Sequence, residues 1–367
     1  MNTTTFYEGH PTLTLGGHTS NKCPLELVER YDSLLQTPRM SWTEHHRVVR
    51  ELGRGGQGVV FLSDRRGTDG FTLPVALKIF SPKNFDDARG YDEAMCRIAN
   101  VAARVAQIQQ DNLLDVQNFV DRNRIRIMEM EWIDGYDLSQ LLTRQMLKRT
   151  RELMSAKGWE HLTNVIVTEG PQQPRLKPGV AISVIRECLA GLAALHRNDI
   201  VHGDIKPSNI MIKRTGNAKI VDIGSAVALD DVPPKRTVTP TYAAPEVLES
   251  GACTPRSDLA SLGYVLIEML SGKQPFAGLR TCAELLEAKR FLAQRLPQIL
   301  PPDVVVNELL MNFCRGLIAP DPNRRFGSAE AADMEQKGAA SFQRQLIKGD
   351  LASEYENDLR LWLEQLD

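Results

Sequence analysis

Between His202 and Asn209 the chain reads His-Gly-Asp-Ile-Lys-Pro-Ser-Asn, which places a carboxylate (Asp204), an ammonium group (Lys206) and an amide (Asn209) within one short loop. A hairpin pattern follows, IMIK, RTGN and AKIV, and it runs into Asp222-Ile223-Gly224. A hairpin returns the chain on itself, so Asp222 is expected close to Asp204 and Asn209. Two carboxylates and an amide that converge offer the hard oxygen ligands that suit Mg²⁺, an ion held by one or two carboxylates together with substrate phosphates. Loop Asp and Asn residues that merely cap turns would account for each residue singly but not for the set.

Two further segments carry matching chemistry. Gly53-Arg54-Gly55-Gly56-Gln57-Gly58-Val59-Val60 is a G-x-G-x-x-G-x-V pattern. Glycine allows close approach of backbone to a phosphate and positive φ, yet the same spacing occurs in ordinary turns. A dinucleotide site would need a helix after the glycines; here VVFLSD and LPVALKIF read as two strands, so the loop either closes over a ligand or is a plain hairpin turn. Val75-Ala76-Leu77-Lys78 then sets a lysine in an apolar strand. Lysine is seldom buried unless paired, so Lys78 either meets an anion or snorkels to water. Glu93, with Asp92 as neighbour, is the carboxylate expected to pair with it from the next helix.

These groups need elements to hold them. From Arg47 to Phe80 the segments VVREL, VVFLSD and LPVALKIF predict three antiparallel strands. Met95, Ile98, Ala102, Val105 and Ile108 share one face of a helix predicted over Arg89 to Gln109, and two strands flank QNFVDRNR, the second from Ile125 to Met130. Helical patterns dominate beyond Gly135: Ile182, Ile185, Leu189, Leu192 and Leu195 mark one long helix, and Leu262, Val265, Leu266 and Met269 another. Arg144 to Pro178, basic at first and Pro-rich at its end, reads as an insertion. The first twenty or so residues suggest a mobile arm, followed by a short helix through Leu27, Tyr31 and Leu34. After Gly349, Tyr355, Leu359, Trp362 and Leu366 recur on one helical face that packs either on the body or on a partner.

Bulk properties narrow the function classes. Over 367 residues, 44 Lys and Arg stand against 46 Asp and Glu, a formal charge of −2 that leaves no global basic field for nucleic acid. No uninterrupted apolar run of roughly 18 residues is present and the N-terminus lacks the features of a secretory signal, so a cytoplasmic address is expected. Six cysteines without a C-x-x-C pair suggest reduced thiols rather than a zinc knuckle or a disulfide framework.

Taken in order, the glycine loop, V-A-L-K, H-G-D-I-K-P-S-N, D-I-G and Ala244-Pro245-Glu246 resemble the protein-kinase family, in particular bacterial eukaryotic-like (Hanks-type) serine/threonine kinases. The likeness extends to a hinge at Met130-Glu131-Trp132-Ile133, to Ser257-Asp258 and to Asp321-Pro322-Asn323-Arg324-Arg325, whose Arg325 would pair with Glu246. The resemblance implies an α+β, two-lobed kinase fold: an N-terminal extension over 1–45, a kinase domain over 46–338 (N-lobe about 46–130, C-lobe about 135–338, insertion about 144–178) and a helical extension over 339–367. It implies ATP and Mg²⁺ as cofactors. Leu52, Gly53, Gly55, Gly56, Gly58, Val60, Ala76, Lys78, Glu93, Glu131 and Ile133 would hold the nucleotide, and Asn209 and Asp222 the metal. Asp204 would be the catalytic base toward a Ser/Thr hydroxyl of a protein substrate, with Lys206 and Lys78 supporting transfer and Thr239 buttressing Asp204 and Lys206. Gly203 stands where many members carry an arginine that grips an activation-loop phosphate, and Ile223 stands for the usual phenylalanine. A soluble regulatory partner is expected to act through the termini or the insertion. H-G-D-x-x-x-x-N also suits small-molecule kinases of the aminoglycoside or choline type, and a nucleotide-binding pseudokinase scaffold is the reading from another class; the glycine loop, Lys206, TPTYAAPE and the presence of Lys78, Asp204 and Asp222 favour the protein kinase.

Overall fold

The computed structural model describes residues 13–15, 24–36, 39–41, 45–233, 236–251, 253–348 and 354–366. Most of the arm expected over the first twenty residues lies outside these. Alternation of apolar and polar residues produces a six-stranded antiparallel sheet in the order Arg39–Ser41, His45–Gly55, Gly58–Arg66, Thr72–Phe80, Ile125–Glu131, Val116–Arg122. The last six residues of Thr72–Phe80 are all buried, because this strand lies inside the sheet and is covered on both faces. Against the sheet, chiefly on Val116–Arg122, lies the helix Ala88–Val105, opened by the Asp87 carboxylate, which accepts from the Gly90 amide at 2.6 Å. It ends earlier than the predicted Gln109, since the Gln107 and Ile108 amides turn to the carbonyls three residues back, Arg104 and Val105.

Residues 132–134 lead from the sheet into a helical second lobe. At its centre run Pro178–His196 and Pro255–Ser271. The second is held by a Thr254/Ser257 capping box and stopped by Gly272 at φ 65°, and every side chain from Ser257 to Ser271 is buried, which explains its apolarity on all faces. Pro178–His196 is long and apolar enough by composition to cross a membrane, but 72% of its most apolar 18-residue window is buried inside this fold, as befits a core helix.

The segment expected as an insertion folds into helices and a hairpin. Thr143 and Ser155 accept from the Met146 and Gly158 amides, both at 3.1 Å, and so start the helices Arg144–Leu153 and Ala156–Val165. A small hairpin, Val167–Thr168 with Arg175–Leu176, closes it. The C-terminal helix Tyr355–Glu364 then docks on this region, burying Tyr355, Leu359, Trp362, Leu363 and the following Leu366. Trp362 Nε1 donates to Thr150 Oγ1 at 3.0 Å, and His161 Nε2 meets Asp358 Oδ1 at 2.9 Å. Packing on the body, rather than exposure to a partner, therefore accounts for its apolar face.

Candidate active site

The loop from His202 to Asn209 is suspended from a buried carboxylate. Asp258, 1% exposed, accepts from the His202 amide at 2.8 Å and the Gly203 amide at 2.9 Å, and His196 Nε2 lies 2.9 Å from the same side chain. His202 Nε2 sits 3.1 Å from the Val221 carbonyl, which ties the loop to the far strand of the hairpin. Gly203 takes φ 75°, and a Cβ there would stand 3.0 Å from the Ser225 carbonyl, so glycine suits the position on both counts.

Asp204 is gripped from three sides. Thr239 Oγ1 donates to its Oδ1 at 2.7 Å, Lys206 Nζ donates to its Oδ2 at 2.7 Å and reaches Thr239 Oγ1 at 3.2 Å, and Asn209 Nδ2 donates to its carbonyl at 2.8 Å and to Oδ2 at 3.3 Å. Its side chain is only 8% exposed. The hairpin Ile210–Lys213 with Ala218–Ile220 brings Asp222 to the same place, with Val221 N bonded to Asn209 O at 2.9 Å.

Asp222 accepts from Lys78 Nζ at 2.5 Å and from the Gly224 amide at 3.0 Å. Burial alone would raise its carboxyl, but the Lys78 ammonium, its hydrogen bond, the Gly224 amide and Lys206 outweigh that and hold it down to about 2. It is thus ionised at neutral pH, and at 35% side-chain exposure it is open to a cation. Asn209 turns its nitrogen to Asp204 and keeps Oδ1 as an acceptor. This oxygen set fits a hard divalent ion that leaves most of its coordination to phosphates.

Above these groups lies the turn between His45–Gly55 and Gly58–Arg66. Gly58 is obligatory: at φ 146°, a Cβ would come within 2.0 Å of the Ile79 carbonyl. Gly55 has no atom within 4 Å of a would-be Cβ, so open space above it admits a close ligand. Lys78, 4% exposed, also donates to Gln57 Oε1 at 2.8 Å. Leu52 and Ala76 are buried in the strands on either side of Gly58–Arg66, Val60 is half-buried, and Ile133 is buried at the hinge. Glu131 commits its carboxylate to the Asp115 amide at 2.7 Å and to Lys219 at 2.5 Å.

The expected pairing of Glu93 with Lys78 is overturned. Glu93 bonds Arg89 Nε at 2.7 Å with its side chain half exposed, and Asp92 pairs with Arg124 and Arg126. The helix turns Tyr91, Met95, Ala102 and Val105 inward, and at 100° per residue Glu93, midway between Tyr91 and Met95, falls on the opposite side. Sequence reasoning also missed Gln57, Ser225 and Lys289. Lys289 is fully buried between the rings of Tyr264 and Phe276, at 4.2 and 4.0 Å, and donates to the Thr241 carbonyl at 2.7 Å. Only Gln57 carried a signal, as a long polar side chain between two glycines of the loop. Farther out, Glu246 receives Arg325 through two bonds of 2.6 and 2.8 Å, as the family likeness implied.

The protein kinase domain model matches residues 46–335, and the chain belongs to this family, with its two-lobed fold. It is 28% identical over 310 residues to serine/threonine-protein kinase PrkC of Bacillus subtilis (strain 168), covering 82% of this chain and 41% of that protein. It is 25% identical over 309 residues to probable serine/threonine-protein kinase PknB of Lactococcus lactis subsp. lactis (strain IL1403), covering 83% and 43%. With serine/threonine-protein kinase PknL of Mycobacterium tuberculosis (strain ATCC 25618 / H37Rv) it shares 30% over 236 residues, 63% and 50%. The chain thus spans half or less of the length of these curated relatives. Family membership implies ATP as substrate and a divalent metal beside it.

Proposed function

We propose that this chain is a serine/threonine protein kinase that moves the γ-phosphoryl group of ATP to a protein hydroxyl. One observation carries the reading: Asp204 is ringed by Lys206, Thr239 and Asn209 and lies beside an ionised Asp222 paired to Lys78. A Ser or Thr hydroxyl at Asp204 gives its proton to the carboxylate while its oxygen bonds the γ-phosphorus; the bond to the β,γ-bridging oxygen breaks and ADP leaves. Lys206 offsets charge on the transferring group, and Lys78 holds the α- and β-phosphates. Glycines 53, 55, 56 and 58 cover the phosphates, Leu52, Val60 and Ala76 enclose the base, and the hinge main chain at Glu131 and Ile133 meets its edge, because the Glu131 side chain is already engaged. Asn209 and Asp222 would hold Mg²⁺, which supplies charge neutralisation to the phosphates when bound.

The test compares initial rates of transfer from ATP to a Ser/Thr peptide, with Mg²⁺, for the wild type and Asp204→Asn. A loss of at least about a hundredfold with an unchanged circular dichroism spectrum is expected, in the range of general-base contributions. A folded variant with near wild-type turnover, or a wild type that transfers nothing, would overturn the reading.

A further inference from the structure

Lys78 is buried in the first lobe, yet the helix packed beside it brings no carboxylate to it. Among the described residues the carboxylate that reaches Lys78 is Asp222, a group that must also serve a cation. The other acceptor is a neutral amide from the glycine loop, Gln57 Oε1 at 2.8 Å. The same amide donates through Nε2 to Ser225 Oγ at 2.7 Å. An ammonium group offers only donors, so the amide must turn its oxygen to Lys78, and its nitrogen then falls to the hydroxyl. Gly224 marks the bridge independently: a Cβ there would stand 2.2 Å from Gln57 Oε1 and 2.6 Å from Lys78 Nζ.

We infer that Gln57 is the positioning residue for Lys78, bridging the glycine loop to Ser225 and so taking the place of a helix carboxylate. This deepens the proposed kinase function and rests on it for the identity of the ligand. The chemistry differs from that of a carboxylate in one respect. An amide oxygen orients the ammonium without neutralising it, so this second contact takes none of the charge from the phosphates, and one N–H remains beyond those given to Asp222 and Gln57. Because Gln57 sits in the loop itself, lowering the loop and aiming the lysine become one event.

The experiment uses the full chain with Gln57→Met, which keeps the length and removes the polar atoms, Ser225→Ala, and the double variant. ATP and adenosine affinities are measured by calorimetry, alongside kcat and melting temperature. The expected result for Gln57→Met is an ATP affinity lowered about tenfold or more, adenosine affinity within about twofold of wild type and an unchanged melting temperature, because Lys78 touches phosphates alone. Ser225→Ala should fall in the same direction, and the double variant should lose no more than Gln57→Met, since both cut one bridge. Unchanged ATP affinity in Gln57→Met, equal losses for ATP and adenosine, or independent losses that multiply in the double variant would each overturn the inference. A wild type that binds ATP and transfers nothing would instead overturn the kinase reading, and the affinities would still decide the role of Gln57.

Discussion

Asp222 occupies a left-handed backbone conformation, φ 64° and ψ 76°, which a non-glycine residue adopts at a cost of order 1–3 kcal/mol. The surroundings hold it there: the Gly224 amide and Lys78 Nζ both bond one carboxylate oxygen. Its carboxyl lies below its ordinary value, so the folded state binds this proton less readily than the unfolded chain. The resulting stability is present above about pH 4 and is lost as pH falls toward 2. Lys78→Met removes the opposing charge and leaves burial in command, so the carboxyl should rise. The variant is expected to lose the acid-sensitive part of its stability between pH 4 and 2. Acid unfolding of wild type and variant, followed by circular dichroism, measures the difference; parallel curves would contradict it.

At the scale of elements, the segment from Asp222 to Glu246 is fastened at several described points by contacts that need no phosphate. Val227–Ala228 pairs with Ile200–Val201, and Arg236–Val238 pairs with the short strand Leu13–Leu15, Thr237 opposite Thr14. Lys289 holds the Thr241 carbonyl and Arg325 holds Glu246. Phosphate orders such a segment by finding cationic partners, and at Gly203 the catalytic loop offers none. Transfer should therefore proceed without phosphorylation here. Thr237→Ala, alone and with Thr241→Val, is expected to keep a rate within a few-fold of phosphatase-treated wild type. A tenfold fall on dephosphorylation, about 1.4 kcal/mol of barrier, reproduced by Thr237→Ala, would refute this. Thr239 stands apart, because its hydroxyl bonds Asp204 and its replacement should impair activity whatever the phosphorylation state.

For the molecule as a whole, the C-terminal helix clamps the helices Arg144–Leu153 and Ala156–Val165 to the rest of the second lobe. Beyond the Trp362 and Asp358 contacts, Arg149 donates to the Leu366 carbonyl at 2.9 Å, and a Cβ on Gly179 would strike the Tyr355 hydroxyl at 2.0 Å, so helix and body are closely fitted. Burying a large apolar side chain contributes roughly 1.5–3 kcal/mol, and several leave together when the helix is removed. Truncation after Ser353 should lower the melting temperature by several degrees, measured by calorimetry on full and shortened chains. Unchanged stability would show that the helix contributes nothing to the fold.

Much of this was legible locally. The 3.6-residue recurrence of Tyr355, Leu359, Trp362 and Leu366 reflects one buried face and marks the helix by spacing alone. The glycine loop, Lys78, the loop from Asp204 to Asn209 and Asp222 were recognisable because their spacing is short and their chemistry is shared. Hairpin geometry then brings Asp222 back to Asn209 with little freedom. Local pattern thus settles which elements form and which groups they carry. Partners across elements were decided only by tertiary structure. Glu93 faces away from Lys78 because helix rotation follows the apolar stripe of Tyr91, Met95, Ala102 and Val105, and a polar residue has no vote in that packing. Gln57 meets Ser225 across 168 positions, and Lys289 meets Thr241 across 48. No periodicity encodes such encounters; they arise where burial of apolar faces sets the distance and a buried polar group must be satisfied by whatever lies within reach.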